Sequence, residues 1–149
     1  MKFAKAFAVA AVAVVALGVT AVVAQQDPIS ARKAIMKTSG QNAAAVVKMI
    51  KGEEPFDMAK VNAALAAFQD AAAKMPALFP ADSKTGGETA AAPKIWEDKA
   101  DFDARFVKLG VDAKAAEASI KDLDSLKTTF PNLLKNCGGC HELYRIKKS

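Results

Sequence analysis

Histidine is almost missing from this chain: His141 is the only one among 149 residues. That excludes metal centres built from several imidazoles. It also leaves no second histidine as the distal base of a peroxidase-like enzyme. Cysteine is nearly as scarce. Cys137 and Cys140 stand alone, and no other Cys or His exists to complete a four-ligand zinc site. Runs of β-branched residues are absent, which argues against strands. Charge of one sign is not piled up either. The formal net charge is +5, a mild balance without the clustered basic face that nucleic acid requires. No internal repeat stands out.

The first 24 residues differ from the rest. Lys2 and Lys5 open the chain, an apolar run follows from Phe7 to Val23, and Ala24 precedes the polar Gln25-Gln26-Asp27. A charged start, an apolar middle and a small residue at the end describe a secretory signal peptide. A retained membrane anchor is the rival, because the run is near spanning length. Ala24 and the abrupt polar turn after it favour cleavage. Residues 1–24 are therefore expected to be removed on export to the periplasm. A single domain over residues 25–149 is left, its charge two units lower, with no membrane attachment.

That domain reads as all-α, an antiparallel up-down-up-down four-helix bundle. The first helix is expected from Asp27-Pro28, a cap followed by a proline suited to the first turn, to Lys51-Gly52. Ile29, Met36, Ala43, Val47 and Ile50 lie on its apolar side. The second helix follows the cap Asp57 and carries Val61, Leu65, Phe68, Ala72 and Met75 at steps of four and three, until Pro76 stops it. A long connection with Pro80, Gly86 and Gly87 runs to Pro93, and loops of that length are functional or disordered. The third helix begins near Asp98 and turns Phe102, Phe106, Leu109, Ala113 and Ala116 inward. The fourth begins near Asp122 or Asp124. It carries Leu123, Leu126, Phe130, Leu134, Cys137, His141 and Tyr144 on one side, with Pro131 inside it.

The chemistry lies in Cys137-Gly138-Gly139-Cys140-His141. In an exported chain two cysteines first suggest a disulfide, but this spacing with a following histidine is the haem attachment signature. Each thiol adds to one vinyl group, forming two thioethers. On a helix Cys137 and His141 are one turn apart with Cys140 close to the same side, so the ring is clamped at its edge while His141 reaches the iron. A thioredoxin-like dithiol belongs to the amino end of a helix in a strand-helix fold, whereas this motif lies near the far end of a fourth helix. One haem c is the expected cofactor.

Methionine is the usual partner of histidine on the iron of electron-transfer cytochromes. Met36, Met49, Met58 and Met75 remain after cleavage. In an up-down-up-down bundle the end of the fourth helix is level with the start of the first. His141 is eight residues before Ser149 and Met36 eight after Pro28, so both lie about 12 Å from the same end at ~1.5 Å per residue. Met49 and Met58 fall near the opposite end, and Met75 at the last turn of the second helix. Met36 is the expected distal ligand. Gly40, one turn on, removes a side chain where a flat ring approaches. Arg32, one turn before Met36, suits a haem propionate, and Arg145 suits the proximal edge. A solvated helix face is the alternative for both arginines. Trp96 is expected where the long loop meets the third helix.

The chain resembles the class II c-type cytochromes, the cytochrome c′ family, over its whole mature length. The resemblance rests on Arg32 and Met36, Lys51-Gly52-Glu53-Glu54-Pro55-Phe56-Asp57, Leu78-Phe79-Pro80, Pro93-Lys94-Ile95-Trp96-Glu97-Asp98, and the run from Cys137 to Arg145, in the family's order. It implies a left-handed four-helix bundle with haem near the carboxyl end. In typical cytochromes c′ an apolar residue stands four places after the first arginine, and the five-coordinate iron takes nitric oxide or carbon monoxide. In the low-spin branch, of the cytochrome c-556 type, a methionine at that place ligates the iron, and this chain has Met36 there. The expectation is an electron-transfer protein, not an enzyme, with redox proteins as partners and His141 and Met36 on the iron. The alternative is a gas-binding protein of the five-coordinate kind. The resemblance also leaves room for a homodimer.

Overall fold

A computed structural model describes residues 27–147; the expected signal peptide lies outside them. Among the described residues there are four long helices and one short one. They are α1 (Pro28–Ile50), α2 (Met58–Lys74), α3 (Lys94–Glu97), α4 (Lys99–Ser119) and α5 (Leu123–Tyr144). The all-α four-helix bundle expected from the sequence is the fold observed, with α3 as a short addition before the third long helix.

The helix starts follow from local chemistry. The side chains of Asp27, Asp57, Asp98 and Asp122 each accept from free amides at the head of a long helix, the groups that no intrahelical carbonyl can reach. Asp122 also exchanges bonds with Ser125 in a reciprocal cap. Gly52 takes a left-handed φ of 77° just past α1, where glycine carries no steric cost. Pro131 is accommodated inside α5.

α2 packs broadly on α1 and α4, and α4 on α5, whereas α1 and α5 meet over a smaller seam. The core follows the apolar stripes. Val61, Leu65 and Phe68 of α2, Phe102, Phe106 and Leu109 of α4, and Leu126 and Phe130 of α5 are buried. Phe68 stacks on Phe130 with centroids 6.0 Å apart. At the other end, Phe102 meets Phe79, Phe106 and Tyr144 edge-on at 4.7–5.2 Å, the geometry that ring quadrupoles prefer. Ile29 is buried as expected, and Met36, Ala43, Val47 and Ile50 pack against the core, but in the last turns of α1 the fully buried positions lie one residue earlier, at Val46 and Met49.

The long connection is ordered into two 3-10 turns, Met75–Leu78 and Ala81–Ser83, before reaching α3. Its far end is stitched to the end of α5 by an antiparallel bridge between Ala91 and Arg145. There the Ala92 amide donates to Tyr144 O at 3.0 Å and the Ile146 amide to Ala90 O at 2.8 Å.

Candidate haem site

A two-lobed cavity is lined by residues of both α1 and α5, the two helices that share only a small seam. The larger lobe has a volume of about 680 Å³ and the smaller about 190 Å³. Met36, Gly40, Phe106, Cys140 and His141 line both. The deeper wall is apolar, with Ala43, Phe68, Ala71, Leu109 and Leu134.

α5 brings Cys137, Cys140 and His141 to this cavity from consecutive turns, as the one-turn spacing requires. Burial pushes both thiols above their usual range, and the Arg105 charge pulls Cys140 partly back. Burial and then the Arg145 charge hold the His141 imidazole below its ordinary value. A neutral imidazole has the lone pair that a metal ligand needs. Met36 faces the same cavity from α1. Met75 lines the larger lobe but is packed into the core at 3 % exposure. Met49 is fully buried in the core.

The cavity fits a flat iron-carrying macrocycle. Among the described residues no group of three or more His, Cys, Asp or Glu is placed to hold a bare metal ion. Cys137, Cys140 and His141 are the residues that would hold such a group, with Met36 across the cavity from them. A Cβ added at Gly40 would meet nothing within 4 Å. The Ser39 hydroxyl, on the same wall, is buried without a hydrogen-bond partner, although buried hydroxyls ordinarily find one.

Arg32 lines the larger lobe, yet its guanidinium is turned to the long connection. Nη1 donates to Leu78 O and Ser83 Oγ, both at 3.0 Å. Nη2 donates to Ser83 O at 2.9 Å and to Thr89 Oγ1 at 2.6 Å. The group also sits 4.6 Å above the Phe79 ring, and burial lowers its pKa. Neither a solvated face nor a free fork describes it: Arg32 is 4 % exposed and clamps the loop. Arg145 caps the end of α5, exposed at the cavity edge. Trp96 sits at the junction of loop and α3, where Nε1 donates to Phe79 O at 3.0 Å.

The sequence reading missed Arg105. From α4 its Nε donates to Asp101 Oδ2 at 2.6 Å, and its Nη1 reaches Gly139 O at 3.4 Å, inside the cysteine motif. Tyr144 donates to the same Asp101 oxygen at 2.5 Å. Burial first, and then the bond to Asp101 and its charge, push the Tyr144 phenol up to about 12. The Asp101–Arg105 spacing of four was a visible helical ion pair, but nothing local tied it to the motif.

Two cysteines, a histidine and an apolar slot at one end of a four-helix bundle define a c-type haem protein. Comparison with known proteins gives the particular family. A family model described as cytochrome c′ matches residues 27–145, and the chain belongs to that family, whose members carry covalent haem c. It is 54% identical to a cytochrome c′ of Rhodopseudomonas palustris, over 91% of this chain and 92% of that one. It is 38% identical to a cytochrome c-556 of the same organism, over 89% and 91%. The solved structure of R. palustris cytochrome c′ superposes with a TM-score of 0.81, covering 84% of this chain and all of that one. For the R. palustris cytochrome c556 structure the TM-score is 0.77 at 35% identity, with coverage again 84% and 100%.

Proposed function

We propose that this protein is an exported electron carrier whose iron is held by His141 and Met36, with the haem tied through Cys137 and Cys140. The observation that carries the reading is the approach of Met36 and His141 to one cavity from two facing helices. When bound, the haem supplies an iron that cycles between ferrous and ferric states, and methionine ligation favours a raised potential. The chain's own residues do the rest. Burial keeps the His141 imidazole neutral and available. Met36 offers a thioether that needs no proton. Phe106, Leu109 and Leu134 exclude water from the slot, and Arg105 holds the motif to α4 through Gly139 O. Arg145 stands at the proximal edge, and Arg32 has only Nε left to offer a propionate. Such a site requires no acid–base pair. Residues 1–24 act as the export signal, and residues 25–149 work in the periplasm. Among the described residues no helix is long and apolar enough to cross a membrane.

A second reading has its own support. The 54% identical relative is called cytochrome c′. An Alcaligenes xylosoxidans cytochrome c′ variant, 26% identical with a TM-score of 0.70, has been solved as a nitric oxide complex. Under that reading the distal place is open to gas.

Met36→Ala separates the two. Wild type should give a six-coordinate low-spin ferric spectrum and bind carbon monoxide slowly when reduced. The variant should turn high-spin, bind carbon monoxide readily and fall in potential. Met75→Ala is the control and should leave the spectrum unchanged. If wild type already binds carbon monoxide as fast as Met36→Ala, the carrier reading fails and the gas-binding one replaces it.

A further inference from the structure

The cavity meets solvent along a particular rim. Lys33 and Lys37, one turn apart on α1, and Arg145 at the end of α5 all line the cavity and are exposed. Among the described residues no carboxylate lines either lobe. The loop between α2 and α3 closes the rim. Lys33 Nζ donates to Gly87 O at 3.2 Å and pairs with Glu88 at 3.7 Å, and Ile146 is hydrogen-bonded to Ala90, a lining residue. Ile146 is 48 % exposed, a large apolar side chain left in water at this edge. Of the acids in contact with lining residues here, Glu88 faces Lys33 and Asp101 is held by Arg105 and Tyr144; neither lines the cavity itself, and nor does the exposed Glu142 that follows His141 in the chain.

A cationic ring with an apolar contact beside a redox cofactor's opening is complementary to an acidic protein surface. We infer that this rim, Lys33, Lys37 and Arg145 with Ile146, is the docking surface for an acidic redox partner. The inference rests on the carrier reading. Charges within a Debye length of about 8–10 Å act together on an approaching surface, raising the encounter rate and fixing its orientation. The apolar contact then supplies adhesion that salt does not screen.

The test uses the reduced holoprotein and two small oxidants of opposite charge, ferricyanide and tris(phenanthroline)cobalt(III). Each takes one electron from the ferrous protein, leaving ferrocyanide or the cobalt(II) complex and the ferric protein. The variants are Lys33→Glu/Lys37→Glu at the rim and Lys121→Glu/Lys127→Glu at the start of α5, where both lysines are exposed. The two double variants change net charge equally. At low salt the ferricyanide rate should fall about fivefold or more in the rim variant and little in the remote one, while the cobalt rate rises in the rim variant. Poly-L-glutamate should slow ferricyanide oxidation of wild type and not of the rim variant. Equal slowing by both double variants would mean that only net charge matters, and would overturn the proposal. No slowing by either would mean that the haem propionates already neutralise the rim, which overturns it as well. Ferricyanide oxidation does not require a filled distal position, so failure of the carrier reading, seen as rapid carbon monoxide binding, is a separate result.

Discussion

Replacing Arg32 by methionine tests the loop clamp directly. The stem keeps its length, and all four hydrogen bonds, to Leu78 O, Ser83 Oγ, Ser83 O and Thr89 Oγ1, are lost. Bonds from a charged donor contribute about 1.5–3 kcal/mol each, so the gross loss is large. Burying a guanidinium costs several kcal/mol, and the variant is relieved of that cost. Ser83, which supplies two of the four acceptors, is buried, and these groups regain water only when the loop opens. The balance is a destabilisation of about 2–4 kcal/mol. At about 3–5 °C per kcal/mol for a chain of this size, Tm should fall by about 6–20 °C. Urea denaturation of the holoprotein gives the first figure. Hydrogen exchange gives the location: the Ser83 and Thr89 amides, which bond to Pro80 O and Gly86 O, and the Trp96 indole should exchange faster, while the core of α2 should not. Arg32→Lys should recover less than half, since an ammonium lacks the planar fork that reaches four acceptors. Stability within about 0.5 kcal/mol of wild type, with unchanged exchange in the loop, would refute the clamp. If the haem spectrum or reduction potential shifted while loop exchange stayed constant, the guanidinium would be serving a propionate instead.

Tyr144 is the only tyrosine, so a single ring-labelled NMR resonance follows its ionisation. The midpoint should lie near 12, and Asp101→Asn should lower it. Because the folded phenol holds its proton above the ordinary value of 10, its contribution to stability is complete below pH 10 and is lost as pH rises toward 12. Asp101 behaves in the opposite sense. The Tyr144 bond and then the Arg105 bond depress its pKa, so its contribution is present above the unfolded value and is lost as pH falls through the folded one. Gly87→Ala should cost about 2 kcal/mol in urea denaturation. Its φ of 53° carries about 1–2 kcal/mol for an L side chain, and the new Cβ would lie 2.9 Å from Ile29 Cγ2. Mass spectrometry of exported protein should find Gln25 at the amino terminus; a membrane-bound product still carrying residues 1–24 would favour the anchor.

The helix starts were readable because capping is local: Asp27, Asp57, Asp98 and Asp122 act on amides two or three residues away. The cysteine motif was readable for the same reason, since one turn of helix must bring Cys137, Cys140 and His141 to one ring. What escaped was non-local. Arg32 finds its partners 46 to 57 residues along the chain, and Arg105 reaches Gly139 across 34. No periodicity reports such distances. The shift in the last turns of α1 has another origin. An alanine-rich helix has little contrast between its faces, and Met36, Gly40 and Ala43 turn to the cavity while Val46 and Met49 turn to the core. α3 has four residues, too few to show a period.

The bridge between Ala91 and Arg145 acts together with the Arg32 clamp. The loop between α2 and α3 is fastened at one side to α1, the helix of Met36, and at the other to the end of α5, the helix of His141. The two helices share only a modest seam of their own. The loop therefore works as a caliper, with its jaws on the helices that carry Met36 and His141. Lengthening it would widen the gap without touching either residue, so that, under the proposed ligation, a surface insertion distant in sequence would decide whether Met36 stays within reach of the iron.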